Sequence, residues 1–156
     1  MKRKILRALP YITTVLIMAL IFFFSSQSRE ASSQLSSGIT RRIIEFFMQG
    51  ASELEKEQCL EALHNIVRKC AHFILYAMLG FSASGMFIGK KRLRMWAYAL
   101  AVCFVYAITD EVHQSFVDGR GPMVSDVLLD SSGGATGAAV FILILVIYGL
   151  RKGKKL

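Results

Sequence analysis

Four apolar runs, each close to the ~20 residues that cross a ~30 Å hydrocarbon layer, divide the chain and leave little room for any other fold. They lie at about residues 8 to 25, 70 to 89, 95 to 116 and 127 to 150. With 54% hydrophobic residues and two prolines in 156 positions, the chain carries more apolar surface than a water-facing exterior tolerates. The expected fold class is therefore all-α: an integral membrane four-helix bundle, one domain over residues 1–156, with an outer helical segment at residues 26–69 between spans 1 and 2. The first run follows Lys2, Arg3, Lys4 and Arg7, as the core of a signal peptide does. Its 17 uncharged residues from Ala8 to Phe24 exceed a usual signal core, however, and "FFFSSQ" places bulky residues where a cleavage site needs small ones, so an uncleaved helix is expected.

Charge orients the bundle, because cytoplasmic loops collect Lys and Arg. Four basic residues precede the first span, four lie in "GKKRLR" (Lys90, Lys91, Arg92, Arg94) and four end the chain (Arg151, Lys152, Lys154, Lys155). These clusters share one side of a four-span topology, whereas the other side receives seven basic residues and all eleven acids. Both termini are expected in the cytoplasm, with residues 26–69 and 117–126 outside. The net charge of +8 resides in these short flanking clusters with no aromatic RNA-binding motif between them, so no nucleic-acid partner is expected. Cys59, Cys70 and Cys103 fit neither a zinc site nor a disulfide framework and read as free thiols.

Within the outer segment, Leu35, Ile39, Ile43, Phe46 and Phe47 recur at helical spacing, as a helix on the membrane surface or capping the bundle requires. The pattern Ser52-x-x-Glu55 makes a capping box, opening a helix that can continue into the second span.

The third run is the anomalous one. The run from Met95 to Ile108 has only 14 residues before the first acid, about 21 Å at 1.5 Å per residue, so the helix must carry Asp110, Glu111, His113 and Gln114 into the outer part of the bilayer. Bare charge there costs several kcal/mol, and each group needs a partner. Lys69, His72 and Tyr76 share one face at the outer end of the second span, and Asp126 and Asp130 lie one turn apart at the outer end of the fourth. Gly133 and Gly137 continue that strip and let a neighbouring helix approach. The turn "VDGRGP" adds Arg120. The competing reading is structural: Lys69 as a snorkelling lysine, His72 as a hydrogen-bonded core residue, Asp110 and Arg120 as a helix-locking salt bridge. The number of ionisable groups aimed at one place favours function.

At these residues the sequence resembles the VanZ-like family of small bacterial membrane proteins. The motifs are "KxxHFxxYxxLG" from Lys69 to Gly80, "DEVHQSFVDGR" from Asp110 to Arg120, "DVLLDSSGGATG" from Asp126 to Gly137, and "FFFSSQS" at the end of the first span. Asp118 stands where the family turn usually holds proline, and Asp130 where Asn is frequent, which adds an ionisable carboxyl group to the site. The resemblance implies a bacterial cytoplasmic-membrane protein linked to resistance against teicoplanin and related lipoglycopeptides. It draws attention to Lys69, His72, Tyr76, Asp110, Glu111, Gln114, Arg120, Asp126, Gly133 and Gly137.

Two functions are open. In the first, the cluster binds an outward ligand, lipid-linked or anionic, with Lys69, His72 and Arg120 on a phosphate or carboxylate and Asp110, Glu111 and Asp126 orienting them. Membrane lipids are expected partners, and a lipid-linked envelope precursor or a lipoglycopeptide is the candidate ligand. In the second, the chain is a hydrolase or transferase acting on a lipid or lipid-linked envelope precursor, with His and carboxylates as general acid and base and Arg120 stabilising an anion. No "GxSxG", "HExxH" or phosphatase-like signature is present, so no catalytic residue is assigned. The serines at 25, 26, 28, 32 and 33 read as polar linker. His72, His113 and the acids match no standard metal spacing, so neither metal nor cofactor is expected. A transporter would place its site near the midplane, whereas this cluster is one-sided.

Overall fold

The computed structural model describes residues 2–119 and 121–151. Arg120, Lys152, Lys154 and Lys155 lie outside the described residues, as do the side chains of Lys2, Arg3, Lys4, Leu35 and Ile39. Five helices follow in order: α1 (Lys2–Ser25), α2 (Arg29–Phe47), α3 (Glu53–Met86), α4 (Arg92–Gln114) and α5 (Val124–Arg151). Helices α1, α3, α4 and α5 are long and apolar enough to cross a membrane, and α2 is the expected helix between the first two spans.

Local signals set the ends of these helices. The Ser52 hydroxyl accepts from the Glu55 amide while the Glu55 carboxylate accepts from the Ser52 amide, so the capping box opens α3. From there α3 runs unbroken for 34 residues, about 51 Å. That exceeds a ~30 Å hydrocarbon layer, so its first turns extend beyond the apolar stretch that forms the second span. It stops at Met86, where Gly89 at φ 97° turns the chain towards α4. In α2, Thr40 and Ile44 are buried while Phe46 and Phe47 are exposed, and the helix packs on α3.

Helix α3 is the hub, touching all four others. Its closest partner is α5, where glycines remove the side chains that would hold the backbones apart. A Cβ on Gly137 would overlap the Ala77 carbonyl, one on Gly133 would meet Phe73, and one on Gly80 would overlap Gly134. Gly134 in turn admits Cys103 of α4. Two small cores result: Ile21, Tyr76, Leu79, Cys103 and Ala107 in one, and Ala83, Ala99 and Ala138 in the other.

Few polar contacts tie the helices, each removing a donor from hydrocarbon. Thr13 and Ser82 hydroxyls pair at 2.6 Å, the Tyr106 hydroxyl donates to the Met18 carbonyl at 2.6 Å, and the Trp96 indole donates to the Ala135 carbonyl at 3.1 Å. Meanwhile Val15, Leu16, Val105 and Leu143 are exposed, an outer apolar surface suited to lipid. The three cysteines are free.

Candidate functional site

The site forms where α3, α4, α5 and the last residue of α1 meet. Helical spacing aims Asp110 and Gln114, one turn apart on α4, at the bundle interior, and both are buried, as is Glu111. Asp110 Oδ2 accepts hydrogen bonds from Ser25 Oγ at 2.9 Å and from Gln114 Nε2 at 3.0 Å. His72 of α3 reaches between two helices: its Nδ1 lies 3.5 Å from Asp130 Oδ2 of α5 and 4.0 Å from Asp110 Oδ2 of α4. The other oxygen of each carboxylate, Oδ1 of Asp110 and Oδ1 of Asp130, is buried with no hydrogen-bond partner among the described residues. Tyr76, one turn further along α3, is wholly buried in the adjoining core, and its hydroxyl likewise lacks a partner among the described residues. Buried polar atoms are normally paired, so these three oxygens on neighbouring helices hold hydrogen-bonding capacity that the packing of the described residues does not use.

Above this centre lies a more exposed layer. Asp126, one turn before Asp130, is held by Lys69 Nζ at 3.0 Å and faces Arg68 Nη2 at 3.7 Å. Glu111 Oε2 accepts from the Met123 amide at 2.7 Å, fastening the start of α5 to the end of α4. Between the layers is a narrow cleft of about 10 Å³ to the centre of a water-sized sphere, lined by Arg68, Lys69, His72, Glu111, Gln114 and Asp126, with Leu129 and Asp130. Such a volume holds about one water molecule or one ion. Four carboxylates thus face Arg68, Lys69 and His72, with the negative excess deepest in the site.

The structure brings together Lys69, His72, Tyr76, Asp110, Glu111, Gln114, Asp126 and Asp130, whereas Arg120 lies outside the described residues. Two residues at the site are not foreseen by the sequence patterns. Ser25, expected as polar linker, is instead buried at the end of α1 because that helix packs its last turn against α4, and its hydroxyl holds Asp110. The signal available for it is a serine ending an apolar run inside "FFFSSQS". Arg68 adjoins Lys69 and shares its carboxylate, which no spacing rule reveals because neighbouring helical positions are 100° apart. His113 turns away and stacks on Phe22 with ring centroids 4.3 Å apart.

Fold and site together define a multi-pass helical membrane protein with a polar cluster built into one end of its bundle. The VanZ/LLP1 family model matches residues 11–146, and the chain belongs to that family. No curated protein and no solved structure matches the chain.

Proposed function

We propose that the chain is a cell-envelope protein of the bacterial cytoplasmic membrane that lowers sensitivity to teicoplanin-type lipoglycopeptides. In this reading its termini are cytoplasmic, and the polar cluster opens outward to hold a lipid-linked or anionic ligand. The observation that carries it is the layered site: Lys69 and Arg68 stand at the mouth on Asp126, where a phosphate or carboxylate can compete for their N–H donors. An apolar groove of about 570 Å³ between α1, α3 and α5, lined by Leu9, Ile17, Ile74, Met78 and Phe141 among others, supports a lipid-bearing ligand. Its Ile74 end lies two residues from His72, so a tail and a headgroup can be held by the same helices.

Lipid analysis and native mass spectrometry of protein purified in mild detergent test this reading. A co-purifying phosphate- or carboxylate-bearing lipid, lost in Lys69→Met, is expected; bare protein from native membranes contradicts it. The orientation is tested separately by cysteine labelling in whole cells. Membrane-impermeant reagent is expected to reach position 118 and not 91, and the reverse pattern overturns the outward site.

A second reading, an enzyme acting on a lipid or lipid-linked envelope precursor, draws on the unpartnered oxygens of Asp110 and Asp130 on either side of His72. These are groups of the kind that exchange protons with a substrate. Product formation from a lipid-linked precursor by purified protein separates the two, since a binder holds its ligand unchanged.

A further inference from the structure

We propose that His72, Asp110 and Asp130 bind a divalent first-row transition cation. The three residues come from α3, α4 and α5, and one ligand atom from each lies within 4.8 Å of the other two. Donors bound about 2.0–2.2 Å from one ion sit roughly 2.8–3.6 Å from each other at octahedral or tetrahedral angles. His72 Nδ1 is 3.5 Å from Asp130 Oδ2 and 4.0 Å from Asp110 Oδ2, so drawing the three donors together by roughly 1 Å brings them to ligating separation.

Three further observations point to an ion. The Oδ1 atoms of Asp110 and Asp130 are buried and unpartnered among the described residues, and both residues are at least nine-tenths buried. They leave lone pairs for an ion to use. Ligating carboxylates are ionised and a ligating imidazole is neutral, so this donor set when bound carries a charge of −2, which one divalent cation cancels; a helix-locking ion pair would instead leave an uncompensated carboxylate in a low-dielectric interior. Finally, the Ser25 hydroxyl and the Gln114 amide both donate to Asp110 Oδ2, the outer hydrogen bonding that fixes a ligating carboxylate in orientation.

The mixed donor set selects the class of ion. An imidazole nitrogen beside two carboxylate oxygens suits Zn²⁺, Mn²⁺ or Fe²⁺ over the all-oxygen preference of Ca²⁺ and Mg²⁺. Three protein ligands leave at least one coordination position, and the cleft beside His72 and Asp130 has room for the water that would fill it. Positions 72, 110 and 130 form no short sequence motif, which is why spacing alone assigns no metal. The site stands independently of the ligand proposed above.

The test uses full-length protein in detergent, stripped with chelator and titrated with Mn²⁺, with electron spin resonance as the readout. One bound Mn²⁺ per chain is expected, with ¹⁴N coupling that changes to ¹⁵N coupling when histidine is ¹⁵N-labelled. His72→Gln should abolish that coupling, and Asp130→Asn should weaken Mn²⁺ binding at least tenfold while melting no lower than the stripped parent. Absence of stoichiometric Mn²⁺ from folded parent protein overturns the proposal, as does bound Mn²⁺ without histidine nitrogen coupling. Both outcomes are read from the parent protein alone, so the test holds even where a variant fails to fold.

Discussion

The two ends of this bundle are held together by opposite means. At one end, helices meet through missing side chains: Gly80, Gly134, Gly137, Ala83, Ala99 and Ala138 let the helices pack closely, with neutral hydrogen bonds such as Thr13–Ser82 and Trp96–Ala135 between them. At the other, Ser25, His72, Asp110, Gln114 and Asp130 fill the interior with groups that hydrocarbon penalises. In lipid no hydrophobic effect drives helices together, so close packing of small residues is the inexpensive solution. The polar end could have used it too. It instead keeps buried carboxylate oxygens with no hydrogen-bond partner among the described residues, and substitutions at the two ends should fail in different ways.

The largest effect is expected at the small-residue seam. Gly137→Leu places a side chain where the Ala77 backbone stands, and destabilisation of about 3 kcal/mol or more should follow. It should appear as depleted membrane protein and a lowered melting temperature in detergent. Normal abundance and melting would show that the seam does not hold α3 to α5. Trp96→Phe sharpens the same side of the comparison. It removes one hydrogen bond to the Ala135 carbonyl, worth about 0.6–1.7 kcal/mol within a membrane bundle, so a modest loss of melting temperature with function retained is expected.

At the polar end the expectation reverses. Lys69 is 40% exposed in its pair with Asp126, so Lys69→Met should change stability by less than about 1 kcal/mol. It should nevertheless reduce the proposed effect on teicoplanin sensitivity. A large fall in melting temperature with the teicoplanin effect intact would make Lys69 a structural lock.

The same contrast explains what can be read from sequence. Spans are legible because lipid demands long uncharged runs, and Ser52 with Glu55 announces the start of α3 because a cap is a local chemical pattern. The polar residues of α4 stand out because 14 apolar residues cannot cross a bilayer. What stays hidden is how helices rotate against one another. Nothing local says that Ser25 ends its helix facing Asp110, that the Trp96 indole bonds to the Ala135 carbonyl of α5, or that His113 turns towards Phe22 while Gln114 turns inward. They depend on how whole helices pack, of which the glycines that let α3 and α5 meet are one part.

If the buried cluster exists for function, the fold should survive without it. Teicoplanin sensitivity set against membrane abundance, measured in the same cells for Asp110→Asn and His72→Ala, decides between site and scaffold. Abundance near that of the parent, with the proposed effect on sensitivity present in the parent and gone in the variants, is expected. Abundance and effect falling together, as stranding a buried charge partner at about 3–5 kcal/mol would cause, would make the cluster structural, and full effect in well-folded variants would remove these residues from the site.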